Sequence, residues 1–290
     1  HNGSGDSMSA KGVAVRAGLR RTRIELRQMF TDPQGLAALF LFPALIMVAL
    51  FFMRNGTFQS TGYGLAVLAL PGVMGTIVFF NGVYTIGESF VLDREDGTLL
   101  RAKATPNGMI GYFIGRIGTN ATAVLVQGMA VLGAGAIIVG GVSLDSARSW
   151  IVLVWVLVLG LLATLPLGAL LGAVVGTARG LFFVTMPLML VVGVSGIFYP
   201  ITALPGWLQS IAQVLPCYWL GLGLRSALLP ADAVAIEIGQ SWRHLETAGV
   251  LGAWAVVGLV LAPIVLGRMA RNESGSKMDE RRDKALARAY

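Results

Sequence analysis

The chain has 290 residues, 55% apolar and only 13% charged, with a mean hydropathy of +0.73. That balance excludes an ordinary soluble domain and requires long membrane-spanning runs. The net charge of +7 does not point to nucleic acid, because the bases cluster at the ends and in loops beside apolar runs. The single cysteine, Cys217, excludes an internal disulfide.

In chain order, residues 1–10 read as a tag remnant or disordered leader. Over 12–31, Arg16, Arg20, Arg23 and Arg27 fall on one helical stripe, and Val15, Leu19, Leu26 and Phe30 on another beside it. Such a helix lies in the membrane interface with its arginines at anionic headgroups, or acts as a positive-inside anchor. Asp32-Pro33 predicts an elbow into the bilayer. Six spans are predicted, at 35–53, 65–87, 108–140, 150–176, 180–199 and 248–267, each near the roughly 20 residues needed to cross about 30 Å of hydrocarbon. The third and fourth are longer, so they tilt or extend beyond the bilayer. The predicted fold is an all-α integral membrane protein.

Between the second and third spans lies a charged loop, 88–106, with Glu88, Asp93, Glu95 and Asp96 beside Arg94, Arg101 and Lys103. Thr98 to Ala104 predicts a short helix behind an Asp96 or Thr98 cap, stopped by Pro106. This is either a solvated, topology-setting turn or a docking knob. The apolar Leu99 and Leu100, expected to face water, favour docking, with Asp93, Arg94, Glu95, Asp96, Gly97 and Thr98 around them.

With the N-terminus inside, only Arg54, Arg148, Arg225 and Arg243 of the 22 Lys and Arg fall outside. Both termini and the 88–106 loop are therefore expected to be cytoplasmic. Residues 11–268 form the membrane domain, and 269–290 read as a charged, mobile cytoplasmic tail. In the fourth span Gly160, Thr164, Gly168, Gly172 and Gly176 form one small-residue face for close helix approach, within the subunit rather than between subunits. In 200–230, Pro200, Pro205, Pro216 and Pro230 cut an apolar stretch into pieces too short to cross. Two short re-entrant helices are expected there on the outer side, about 206–214 and 217–229, with Trp207, Tyr218 and Trp219 at the interface.

Polar residues inside spans are expensive and call for a function or a bridge. Asn81, Tyr84, Thr85 and Glu88 share one face of the second span. They either line a substrate path or end in a latch from Glu88 to Arg94 or an N-terminal arginine. Asn120 and Gln127 share a face of the third span and predict interhelical hydrogen bonds. There is no catalytic constellation, no metal-ligand spacing and no phosphate loop. The chain is expected to be no enzyme, to hold no metal, and to carry no cofactor of its own.

The run Asp93-Arg94-Glu95-Asp96-Gly97-Thr98-Leu99 with Ala104-Thr105-Pro106 resembles the cytoplasmic loop of ABC-2 type exporter permeases, the drug- and lipid-export group that includes daunorubicin-resistance-like proteins. Gly196-Ile197-Phe198-Tyr199-Pro200, Leu204-Pro205-Gly206-Trp207-Leu208, Leu215-Pro216 and Arg225 resemble the same family's segment between the last two spans. The resemblance implies a permease of the plasma (inner) membrane that pairs with a second copy or a related permease. ABC ATPase subunits, holding ATP and Mg, would dock on the cytoplasmic loop. It also implies a central path lined by the first, second and fifth spans, and a hydrophobic or amphipathic cargo, a drug-like molecule or a lipid. The competing reading is an ion-coupled secondary transporter, which needs intramembrane carboxylates or spans broken near the midplane. Glu88 is the one acid near a span, and it lies at the edge. A lipid-modifying membrane enzyme is weaker still, lacking clustered His, Asp or Cys.

Overall fold

The computed structural model describes the backbone of residues 3–57, 62–105 and 108–286, with side chains except those of 3–11, 14, 100, 103, 110, 178 and 266–286. Among the described residues there are helices and no strand. The first helix, α1 (Gly3–Thr31), begins upstream of the predicted 12–31 segment. The elbow has a clear local cause. The Asp32 carboxylate accepts hydrogen bonds from the backbone N–H groups of Gln34 (3.3 Å) and Gly35 (3.1 Å), and Pro33 opens α2 (Pro33–Met53).

The central element is α3 (Leu65–Glu95), of whose most apolar stretch 78% is buried. Over Ile77–Thr85 it is wound as a π-helix, a winding that recurs at functional sites. A short helix, α4 (Thr98–Lys103), follows, then α5 (Gly108–Val139) and α6 (Ala147–Val175). The small-residue face of α6 packs within the subunit. A methyl group on Gly168 would strike the carbonyls of Gly82 and Val83, and one on Gly172 would meet Gly87 O at 2.5 Å. Thr164 fits against Gly82, so the π-wound stretch and the glycine face are two halves of one close contact.

Five helices are long and apolar enough to cross a membrane, and the predicted fifth span is a shorter apolar helix. It is α7 (Ala178–Val194), 17 residues or about 26 Å. The predicted span continued to 199, but Gly196 adopts φ 69°, which ends the helix. The chain then folds back against α3, where a methyl on Gly72 would strike Ile197 O at 2.5 Å.

The prolines do divide the next stretch as expected. Helix α8 (Gly206–Val214) and α9 (Pro216–Leu228) meet at Pro216. Helix α9 lies against Gly160 through Leu220 and against Gly75 through Leu224, and Leu228 O accepts from Ser143 N-H at 2.8 Å. It therefore runs from mid-depth of α6 back to the end where α6 starts. Trp207 is exposed, but the expectation that Tyr218 and Trp219 sit at the interface is corrected: both are buried. Trp219 donates from its indole to Gln213 O at 2.6 Å and lies under the Arg243 guanidinium. The last helix, α10 (His244–Leu286), packs on α6 and continues through the stretch predicted as a loose tail.

Candidate functional site

At the end of α3 the charged loop is built from two different sets of residues. Gly97 turns the chain with φ 76°, and Asp96 Oδ1 accepts from Thr98 N-H at 2.8 Å, capping α4. Hydrogen bonds from the Thr98 side chain first, and from its backbone N–H second, hold the Asp96 carboxyl below the usual carboxylate range. Glu95, Asp96 and Arg101 are exposed; Arg94, Gly97 and Thr98 are half-buried. Arg94 lies against Gly176, the left-handed cap of α6.

Two of the predicted docking residues are not at the surface. Leu99 is 2% exposed and joins the main core cluster with Phe90 and Tyr112. The expectation of a water-facing Leu99 is therefore corrected: it anchors α4 to the spans. The side chain of Leu100, and Pro106 altogether, lie outside the described residues. Asp93 is 3% exposed. It accepts from Tyr112 Oη (2.6 Å) and Arg116 Nε (2.6 Å), with a second bond from Arg116 Nη2 that makes the pair bidentate.

The network around Asp93 continues into α1. Arg116 faces Glu25 at 3.8 Å, Thr119 donates to Glu25 at 2.8 Å, and Arg21 pairs with Glu25 at 2.7 Å and stands over the Tyr112 ring. Close backbone approach makes this possible, since a methyl on Gly18 would meet Gly111 O at 2.8 Å and Thr22 donates to Gly115 O at 3.2 Å. The packed face of α1 is thus small and polar, while Arg16, Arg20, Arg23 and Arg27 are exposed, with exposed Val13, Val15, Leu19 and Ile24 to either side. Two charge pairs hold this end together, Asp93 with Arg116 and Glu25 with Arg21. Sequence reasoning missed this network. The glycine spacing at Gly111, Gly115 and Gly118, with Arg116 among them, is the signal that marks it.

The predicted polar face of α3 is present as its least buried side: Asn81, Tyr84, Thr85 and Glu88 are half-buried on a helix otherwise closed in. They do not act as one group. Asn81 and Thr85 line a cavity of ≈ 350 Å³ shared with Met29, Gly35, Leu39 and Gln127. Tyr84 stacks on Phe80, with ring centroids 5.2 Å apart. Gln127 bridges helices as predicted: it accepts from Asn81 Nδ2 at 2.5 Å and donates to Leu39 O. Asn120 instead donates to Arg116 O of its own helix, at 2.9 Å. Beside α3, helices α2 and α7 present open apolar faces, including Phe42, Leu45 and Val48 on one and Phe182, Met186 and Leu190 on the other.

At the opposite end lies a second buried charge pair. Arg225, counted above as an external charge, is 0% exposed. Its Nε donates to Glu237 at 2.7 Å and its Nη1 to Gly196 O (3.1 Å) and Ile197 O (3.0 Å). It ties α9 to the α7–α8 connection and to the loop before α10. Among the described residues no group of three or more potential ligands is placed to hold a metal ion.

The family model described as "ABC-2 type transporter" matches residues 19–229. No curated protein matches the chain.

Proposed function

The chain belongs to the ABC-2 type transporter family, and on that footing we propose that it is the membrane-spanning permease subunit of an ATP-driven exporter for a hydrophobic or amphipathic cargo, a drug-like molecule or a lipid. ATP and Mg belong to separate ATPase subunits, and the permease pairs with a second copy or a related chain in the plasma membrane, both termini cytoplasmic. The observation that carries this reading is the family match, which runs from within α1 through the end of α9 and takes in the Asp93–Arg116–Glu25 network and Arg225. The charge distribution and the open face of α3 support it.

In this reading the ATPase docks on the exposed part of the 94–101 loop. Buried Leu99 makes α4 move with the spans, and the Asp93–Arg116–Glu25 network makes α1, α3 and α5 move as one block. Force on the loop then reaches the half-buried face of α3 without a flexible joint, save at Gly97.

The test is co-purification with the ATPase subunit from membranes holding both. Asp96→Asn, which can still cap α4, and Arg101→Glu alter exposed charges and leave the core intact, so each weakens association in a salt-dependent way. Wild-type association and transport in both variants would refute docking at this loop.

A further inference from the structure

We propose that the buried Arg225–Glu237 pair forms the wall of a closed hydration site, in which one water molecule bridges Arg225 Nη2, Glu237 Oε2 and the Tyr218 hydroxyl. The site stands on the fold alone and is independent of the transport reading. Three buried polar atoms carry it. Arg225 Nη2, Glu237 Oε2 and Tyr218 Oη have no hydrogen-bond partner among the described residues. Arg225 and Tyr218 are 0% exposed and Glu237 is 3% exposed, so bulk solvent does not reach them. Buried polar groups are nearly always partnered, by ordered water where no protein group is at hand.

The three atoms point to one place. Arg225 Nε donates to Glu237 Oε1 at 2.7 Å. Covalent geometry sets Nη2 beside Nε on the same edge of the guanidinium, and Oε2 beside Oε1, so the unpaired donor and acceptor flank the bond already made. At the other end of the protein Arg116 closes this same fork on Asp93 through both Nε and Nη2. In Arg225 the remaining nitrogen, Nη1, is committed to Gly196 O and Ile197 O, which holds the guanidinium plane while the second arm of the fork stays open. Tyr218 lies seven residues before Arg225 on the same face of α9, and an arginine side chain on a helix reaches back toward the helix N-terminus. The Tyr218 hydroxyl accordingly sits in the field of Glu237, Arg225 and Arg243.

The chemistry selects the guest. A cation would meet the guanidinium and an anion the carboxylate, each at short range in a closed interior. The guest is therefore neutral. It must accept from Nη2 and donate to Oε2, which one water does at once, with a lone pair or a proton left for Tyr218 Oη. Three partners is the usual number for a buried water. The bridge joins the first turn of α9 to the loop before α10 and is a second tie beside the ion pair.

The first readout is a density map of the full chain in lipid nanodiscs, at a resolution that shows ordered water. One peak is expected at about 2.7–3.2 Å from both Nη2 and Oε2, with Tyr218 Oη also in reach. Nη2 closed directly on Oε2, with no peak between them, would overturn the proposal. The second readout is the melting temperature, and there the sign decides. Removing a hydroxyl that has no partner is neutral or stabilising, whereas removing one bonded to the water loses a hydrogen bond. Tyr218→Phe is therefore expected to lower the melting temperature by about 2–4 °C. In the Arg225→Met/Glu237→Leu background, which removes the water's other two partners, the same substitution costs nothing. In the Arg243→Met background the loss persists, which separates the water from a direct bond between Tyr218 and Arg243. A Tyr218→Phe variant that melts at or above the wild type, a loss that vanishes with Arg243 alone, or an equal loss without Arg225 and Glu237 would overturn the proposal.

Discussion

Removing Arg225 should damage the protein more than removing its partner Glu237. In Glu237→Ala the guanidinium loses its 2.7 Å partner but keeps the carbonyls of Gly196 and Ile197. Breaking a buried pair costs about 3–5 kcal/mol, and the two remaining acceptors put this variant near the lower figure. Arg225→Met leaves a buried carboxylate and two carbonyls facing no donor, which puts it near the upper figure, about 5 kcal/mol. The double variant Arg225→Met/Glu237→Leu removes both charges and leaves only the carbonyls, worth about 1–3 kcal/mol. It should therefore be more stable than Arg225→Met alone. At roughly 2–4 °C per kcal/mol, Arg225→Met lowers the melting temperature of the purified chain by about 10–20 °C, and the second substitution returns part of that. Tryptophan fluorescence during heating reads it, since Trp219 is buried in the same assembly. Additive losses, or an Arg225→Met variant that melts with the wild type, would refute the account of Arg225 as the tie holding α9 to its neighbours.

Other substitutions separate packing from docking. Asp93→Ala strips Arg116 of its bidentate partner but leaves Glu25 at 3.8 Å, so it costs about 2–3 kcal/mol and speeds hydrogen exchange in residues 12–31. Gly172→Val forces a side chain onto Gly87 backbone and destabilises by about 1–3 kcal/mol or more, whereas Gly193→Ala, with nothing within 4 Å, melts like the wild type. Leu99→Asp buries a carboxylate in the core and lowers melting temperature along with association, unlike Arg101→Glu, which lowers association only. Asp96 is held below the usual carboxylate range by Thr98. Its stabilisation of α4 is present above that range and disappears as pH falls through the depressed value, so ATPase association is flat from pH 8 to 5 for this group. A midpoint near neutrality that Asp96→Asn abolishes would contradict this sign.

The sequence made the membrane class plain, because spans, breaks and elbows are local. Apolar runs, Asp32-Pro33 and the prolines of 200–230 each act within a few residues. What escaped was where side chains meet across helices. Leu99 looked like a misplaced apolar residue in a polar loop, since nothing local says that the loop folds back onto Phe90 and Tyr112. Arg225 looked like an outside charge, since its partner Glu237 lies twelve residues on, past the bend at Pro230. Tyr218 and Trp219 matched an aromatic belt, but the hairpin of α8 and α9 turns them inward. The polar face of α3 was legible from spacing alone, while its division into a cavity-lining pair and a stacked Tyr84 depends on α2 and α5.

The most direct test of the central claim is uptake of a fluorescent amphiphile into inverted membrane vesicles containing the chain with and without its ATPase partner. The account predicts accumulation that needs both proteins and ATP, persists when the proton gradient is collapsed, and falls in Arg101→Glu. Accumulation driven by the proton gradient with the ATPase absent would contradict it.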